Sequence, residues 1–332
     1  MRTLILTPVP SYDRAMPTPT VELDAQYRQL REECGLVERP ARGAIAVRGA
    51  GAAAYLQGQV TNDVEALGPG EGAYAALLDR KGHLQSDMRV LRPGEEPDLL
   101  LDLEPEPAPA VLRHLTMYSV GHEVEVADAS GERALVSLIG PRSVELAGCA
   151  ALPEHACEQV EHAGARCLAV GTAQGVDLLV PAGERERVVT ALLEAGAALA
   201  SEDAAEILRV EAGVPRFGRD MGPEAMPAEA GIVERAVSFE KGCYIGQETV
   251  ARLHYRGRPN RHLRGLRLSA PARSGEPVRK DGKEVGRIGT AVVSPALGPI
   301  ALAILRREAE PGDEVAVGED GVTASVSDLP FG

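Results

Sequence analysis

The sequence predicts an α+β protein of more than one domain that ends in a small all-β unit. Three observations carry this. At 332 residues the chain exceeds a single ordinary core, so two or three domains are expected. Up to about residue 260, segments of helical period alternate with short strand-like runs. Beyond Pro259 the texture changes to short strands separated by Gly, Pro and Asp-Gly turns, the pattern of a small barrel or sandwich from about Arg261 to Leu329.

The hydrophobic fraction of 44% suits globular packing, but with no Trp, three Phe and seven Tyr the cores must be built from Ala, Val and Leu. The formal charge of −14 argues against broad wrapping of nucleic acid, so no direct DNA binding is expected, and against an anionic membrane surface. A local basic site remains compatible with it. The apolar run at Met1–Leu6 is too short for a signal peptide and is broken by Pro8, and no span approaches bilayer length. Five cysteines, an odd number, fit a reducing compartment better than a disulfide framework, which points to the cytoplasm.

Residues up to about Pro19 read as a lead rich in Pro, Thr and Ser. Val21 to Leu36 has helical spacing in Leu23, Tyr27, Leu30 and Cys34. The strand Ala44–Val47 leads into an Ala-rich helix ending near Gly58. Two strands, Ala73–Leu78 and Leu84–Leu91, flank the hairpin signal Asp79-Arg80-Lys81-Gly82. Leu99–Leu101 is a strand, Ala110–Tyr118 a helix, and Val120–Val126 alternates as a half-buried strand would. From residue 127 to about 204 a separate α+β unit is expected. It holds the strand Ala134–Leu138, a short helix at Ser143–Ala147, a hairpin of Arg166–Val170 and Val176–Val180, and a helix over Arg185–Leu199. Two strand–helix–strand halves suggest a ferredoxin-like arrangement. A further helix covers Ser201–Val210.

The most specific chemistry lies in Lys241-Gly242-Cys243-Tyr244-Ile245-Gly246-Gln247-Glu248. It follows the strand-like Ala236–Phe239 and precedes a helical run from Gly246 to about Tyr255. A thiol in such a turn sits near a helix N-terminus with Lys241 close by, which favours thiolate, so Cys243 is a candidate reactive or ligating sulfur. The alternative is a small buried apolar residue. Downstream, Arg252, Arg256, Arg258, Arg261, Arg264 and Arg267 with Lys241 set seven positive charges against Glu248. They read either as a solvated surface or as a site for a carboxylate-bearing or polyanionic ligand.

Cys149, His155, Cys157, His162 and Cys167 invite a metal reading, but the spacing lacks any zinc pattern, and a surface helix and loop explains them as well. Arg209 and Glu211 close a helix beside Gly213. Their one-residue gap points them in different directions, so separate partners are expected, and Glu211 is either a cap or a carboxylate facing the N–H donors of a ligand. Asp87 alternates with Gln85 and Arg89 on one face of its strand, where solvent exposure is plausible.

At these residues the chain resembles the folate-binding superfamily of the glycine-cleavage T-protein (aminomethyltransferase, GcvT) and the YgfZ-type proteins. The likeness runs from about Leu30 to Leu305, through Leu56-Gln57-Gly58-Gln59-Val60-Thr61-Asn62-Asp63-Val64, Gly140-Pro141, Arg209–Gly213, the octapeptide and Ser294–Ala303. It implies a three-domain T-protein-like arrangement: a folate-binding α+β domain at 20–126 completed by 205–260, a ferredoxin-like domain at 127–204 and a β-barrel at 261–329. T-proteins typically carry Asp and Phe where this chain has Cys243 and Tyr244, and adjacent carboxylates where Ser86 precedes Asp87. Their Thr-Gly-Glu turn is matched only loosely by Thr172-Ala173-Gln174.

Cys243-Tyr244 followed by Gly246-Gln247-Glu248 is similar to the YgfZ group. The resemblance therefore implies a cavity for tetrahydrofolate or a derivative, with Arg209, Glu211, Gln174 and Arg252 as folate contacts and Asp87 near the reactive nitrogens. For that group it implies support of iron–sulfur cluster assembly or repair in client proteins, including enzymes that modify tRNA. Cys243 would then be the working thiol, at most a transient cluster ligand, since four ligands are normally needed. The alternative is a folate-dependent aminomethyltransferase.

Overall fold

The computed structural model describes residues 20–39, 42–95 and 97–332, so the expected lead before residue 20 lies outside the described residues. These residues separate into two units, one of residues 20–208 and 223–259 and the other of residues 209–222 and 260–332.

In the larger unit, α1 (Val21–Glu32) begins where the Thr20 hydroxyl accepts the Leu23 amide at 3.1 Å, a side-chain cap for an otherwise unpaired helix donor. Then follow β1 (Gly35–Glu38), β2 (Gly43–Arg48), α2 (Ala52–Gln57), β3 (Glu71–Leu78), β4 (Leu84–Arg92), β5 (Leu99–Leu103), α3 (Ala108–Tyr118) and β6 (Glu125–Asp128). Next come β7 (Arg133–Ile139), α4 (Ser143–Ala147), β8 (Cys157–His162), β9 (Ala165–Thr172), β10 (Gly175–Pro181), α5 (Arg185–Glu194), β11 (Ala198–Leu199) and α6 (Glu202–Glu211), whose residues from 209 on are counted with the smaller unit. The short α7 (Val233–Ala236) and α8 (Gln247–Arg256) follow.

Strands β3-β4-β5-β2-β6 form one antiparallel sheet, and β11-β1-β7-β10-β9-β8 form a second whose β1–β11 pair is parallel. Strand alternation assigns the faces. Ile45 and Val47 of β2 pack with Tyr55 and Leu56 of α2 and Leu115 of α3, whereas Ala46 packs with Leu168 and Val170 of β9 and Leu179 of β10. Cys167, Ala169, Val176 and Leu178 use the opposite face to bury α4 and α5 through Leu146, Val188 and Leu192. The result is two sheets face to face with helices outside, with one apolar core between the sheets and one under the helices of each. Each fully buried Leu or Val adds about 1.5–3 kcal/mol.

In the smaller unit β12 (Arg261–Leu268), β13 (Pro277–Lys280), β14 (Lys283–Ser294), β15 (Gly298–Arg306), β16 (Glu314–Val317) and β17 (Val322–Ser327) close into a six-stranded antiparallel barrel, ordered β12-β15-β14-β13-β16-β17. Leu266, Val278, Ile288, Leu305 and Val326 fill it. The α+β class and the terminal β-barrel are as the sequence predicts.

Four local expectations are corrected. Of the alternating run Val120–Val126, only Glu125 and Val126 join a strand, which continues to Asp128. The helix from Arg185 stops at Glu194, because Gly196 takes φ +106° and the chain re-enters the sheet at Ala198–Leu199. Ala236–Phe239 is no strand: Ala236 ends α7 and Val237 is its extended cap. Residues 157–167 are no surface helix; they form the β8–β9 hairpin, with Cys157 and Cys167 buried. No helix among the described residues is long and apolar enough to cross a membrane.

Candidate functional site

In β4, Met88 and Val90 enter the core beneath the helices while Leu91 enters the core between the sheets. Asp87 and Arg89 share the Leu91 face, so they turn toward the second sheet, where both are half-buried. Arg89 donates to Asp102 Oδ2 at 2.7 Å and to Asp177 Oδ2 of β10 at 2.7 Å, an ion pair that crosses from sheet to sheet. Arg42 extends the network, donating to Asp102 Oδ1 at 3.0 Å and to Glu104. On the other sheet Ser137 donates to Asp177 Oδ1 at 2.5 Å and accepts from Arg39 at 3.0 Å. Against the cost of burial, Arg42 and Arg89 hold the Asp102 carboxyl down at about 2.

Asp87 sits apart from this pairing. The Tyr74 hydroxyl on β3 donates to its Oδ2 at 2.7 Å. Burial pushes the Asp87 carboxyl up to about 6, against that hydrogen bond; Glu104 adds to the rise and Arg42 opposes it. A carboxyl that changes charge near neutral pH suits proton transfer. The Tyr74 ring stacks with the His155 ring at a centroid distance of 6.0 Å and 27°, and the Arg235 guanidinium carbon lies 5.3 Å from its centroid. Arg235 is held by Glu154 at 2.6 Å. Burial draws the His155 imidazole down to about 4, so it is neutral at physiological pH.

The motif Gln57–Val64 and the octapeptide prove to be one structure. Lys241 is buried, and its ammonium donates to the carbonyls of Gln57, Val60 and Asn62 at 2.6, 2.8 and 2.8 Å. Thr61 donates to Ala236 O at 2.5 Å and accepts from Ala76 N at 2.8 Å, while Asn62 donates to Tyr74 O at 2.8 Å. The Lys241 charge is thus committed to carbonyls and is not the thiolate partner expected for Cys243. Tyr244 is buried and Cys243 exposed, alone among the five free thiols in that respect. Gly246 takes φ +86° to open α8, and a Cβ there would stand 2.6 Å from Asp79 O. Only glycine meets both demands at no cost.

Arg209 and Glu211 take separate partners, as their spacing requires. Arg209 donates to Asp220 at 2.7 Å, Val214 O at 2.5 Å and Thr290 at 2.8 Å. Glu211 is buried and accepts from Ser294, whose hydroxyl also receives the amides of Ala296 and Leu297 at 3.0 Å. Gln174 occupies the β9–β10 turn, where its carbonyl accepts Gly140 N at 3.0 Å. Arg252 and Arg256 are exposed on α8; Gly242 and Glu248 are exposed, and Gln247 half-buried. Arg264 pairs with Asp328 at 3.1 Å, and Arg267 lies over the Phe331 ring. Among the described residues no group of three or more His, Cys, Asp or Glu could hold a metal ion.

The arrangement brings a titratable carboxyl and a neutral imidazole together at Tyr74. Sequence reasoning missed Tyr74 and the Arg42–Asp102–Arg89–Asp177 network. The available signal was polar residues alternating with apolar ones on a strand whose outer face was assumed to meet water.

Comparison with known proteins follows the same outline. Residues 12–241 match the GCVT N-terminal domain family, and residues 261–331 match the glycine cleavage T-protein C-terminal barrel domain. An aminomethyltransferase of Rubrobacter xylanophilus is 31% identical over 329 residues, covering 95% of this chain and 88% of that protein. One from Geobacillus kaustophilus is 30% identical over 337 residues, covering 95% and 92%. The crystal structure of the glycine cleavage system aminomethyltransferase T from Bartonella henselae superposes with a TM-score of 0.84 over 96% of this chain and 91% of that one, at 23% identity, which is a likeness of fold.

Proposed function

Since the chain belongs to the glycine cleavage T-protein family, we propose that it binds a reduced folate and transfers a one-carbon unit of the aminomethyl kind to it, with Asp87 as the proton-holding group. The observation that carries this is the Asp87 carboxyl, bonded to Tyr74 at 2.7 Å and raised to about 6. A planar heterocycle rich in N–H donors fits the residues around it: a ring face, a carboxylate and a buried imidazole nitrogen. When bound, tetrahydrofolate supplies the nitrogens that take up the one-carbon unit. The ionised Asp87 would hold the proton given up at the acceptor nitrogen and return it to the amine that leaves the aminomethyl donor, whose carbon–nitrogen bond breaks as the new one forms. Within the same unit, Gln174 and Arg252 are the further folate contacts of this reading.

A second reading rests on the exposure of Cys243. In it the chain is a cytoplasmic, YgfZ-type factor that binds tetrahydrofolate and supports iron–sulfur client proteins, with Cys243 as working thiol or transient cluster ligand. One experiment separates the two. Purified protein is given tetrahydrofolate and an aminomethyl donor, and methylene transfer is followed for the wild type and Cys243→Ala. Turnover by both supports the first reading. No turnover, together with loss of iron–sulfur enzyme activity in a deletion strain that Cys243→Ala fails to rescue, overturns it in favour of the second.

A further inference from the structure

His155 carries two local costs that folding does not require. Its backbone lies in the left-handed region at φ +69°, a conformation that is unfavourable for a non-glycine residue. Its Nδ1 is buried, and no hydrogen-bond partner for it occurs among the described residues. Glycine would remove the first cost and phenylalanine the second. Polar atoms and strained residues of this kind gather where a ligand is met.

The surroundings hold the residue rigidly in this state. The His155 amide donates to Gly171 O at 2.8 Å, and two residues on the Cys157 amide donates to Gly70 O at 2.8 Å. On one side the His155 carbonyl crowds Gly72 of β3, where a Cβ would stand 2.4 Å from it. On the other, a Cβ at Gly171 of β9 would stand 2.3 Å from Pro153 O. The segment is therefore wedged between two strands at close approaches that only glycine permits, one strand from each sheet. Its ring stacks on Tyr74, the residue that bonds Asp87.

We propose that His155 is a ligand contact whose Nδ1 accepts a hydrogen bond from an N–H of the heterocycle bound beside Asp87. The proposal rests on the folate reading and specifies which edge of the ligand is read. The Nε2 atom faces the Glu154 carboxylate at 3.8 Å, beyond hydrogen-bond length but on the side where a proton is attracted; with the ring proton there, Nδ1 is the acceptor. An acceptor selects a donor. Ring N–H or amino groups of a reduced pteridine satisfy it, while an edge of carbonyl oxygens would leave it unpaired and is disfavoured.

The test is calorimetric titration of tetrahydrofolate into the wild type, His155→Phe and His155→Asn. Phe keeps the ring stack and removes the acceptor; Asn tolerates the left-handed backbone and offers an amide oxygen. His155→Phe is expected to raise Kd about tenfold, the loss of one buried hydrogen bond, with an unchanged or higher melting temperature. His155→Asn should stay within about threefold of wild type. If His155→Phe does not fold, His155→Gly, which relieves the strain, carries the same expectation of weakened binding. Wild-type affinity in His155→Phe or His155→Gly overturns the contact alone. A wild type that binds no tetrahydrofolate overturns the folate reading and the contact with it.

Discussion

Tyr74 and Asp87, 13 residues apart in the chain, meet at 2.7 Å across the β3–β4 hairpin, the hydroxyl donating to the carboxylate. That bond fixes one carboxylate oxygen while burial raises the proton affinity of the group, so Asp87 is held in place and yet titrates near neutrality. Its neighbour Asp102, one strand over and ringed by two arginines, stays ionised. Two carboxylates on adjacent strands are thus driven apart by surroundings rather than by identity.

Asp87→Asn should stabilise the fold above pH 6 and remove folate turnover. A carboxyl whose folded value is raised to about 6 binds its proton more tightly folded than unfolded, so stability falls as pH climbs from about 4 to about 6 and the penalty is full above that. The variant lacks that fall. Chemical denaturation at pH 7.5 should show a gain on the order of 2 kcal/mol, and no gain at pH 4.

Arg89→Ala leaves Asp102 and Asp177 without the cation that joins them across the sheets. Breaking a buried pair on one side costs about 3–5 kcal/mol, so a fall in urea midpoint of that size is expected. Because Asp102 is held at about 2, its contribution in the wild type is present above its unfolded value and is lost only as pH drops through about 2. The wild-type network should therefore survive at pH 4.

Lys241→Met removes the ammonium that three carbonyls share and leaves those acceptors buried without a donor. A loss of about 3 kcal/mol or more in denaturant unfolding is the expected result. Lys241→Arg should rescue poorly, since a planar fork is too large for a buried site built around a point donor.

Gly246→Ala asks an L-residue to adopt φ +86° with its Cβ 2.6 Å from Asp79 O. Destabilisation beyond about 1 kcal/mol follows from the backbone alone, and the β3–β4 turn must shift to make room. A melting temperature equal to wild type would show that the turn yields freely.

Much of the fold could be read from the sequence because periodicity reports burial directly. The hairpin Asp79–Gly82, the helix Ser143–Ala147 and the β-barrel beyond Asn260 all came from local chemistry that tertiary contacts did not override. The site was harder to read. The polar neighbours Gln85 and Arg89 make a solvent-facing position plausible for Asp87, and nothing local says that the face is also turned toward a second sheet, which leaves it half-buried. Lys241 was assigned to Cys243 by proximity in sequence, whereas its real partners are about 180 residues earlier, in Gln57–Asn62. His155 was grouped with cysteines by residue type, and only the backbone of Gly72 and Gly171 shows what holds it. Long-range polar contacts leave no periodic trace.

The pH dependence of methylene transfer to tetrahydrofolate tests the central claim most directly. With Asp87 as the base, the rate should rise to a plateau with a midpoint near pH 6 in the wild type, persist in Cys243→Ala, and lose that limb along with most of its height in Asp87→Asn. A wild type without turnover, or an Asp87→Asn profile matching wild type, would contradict it.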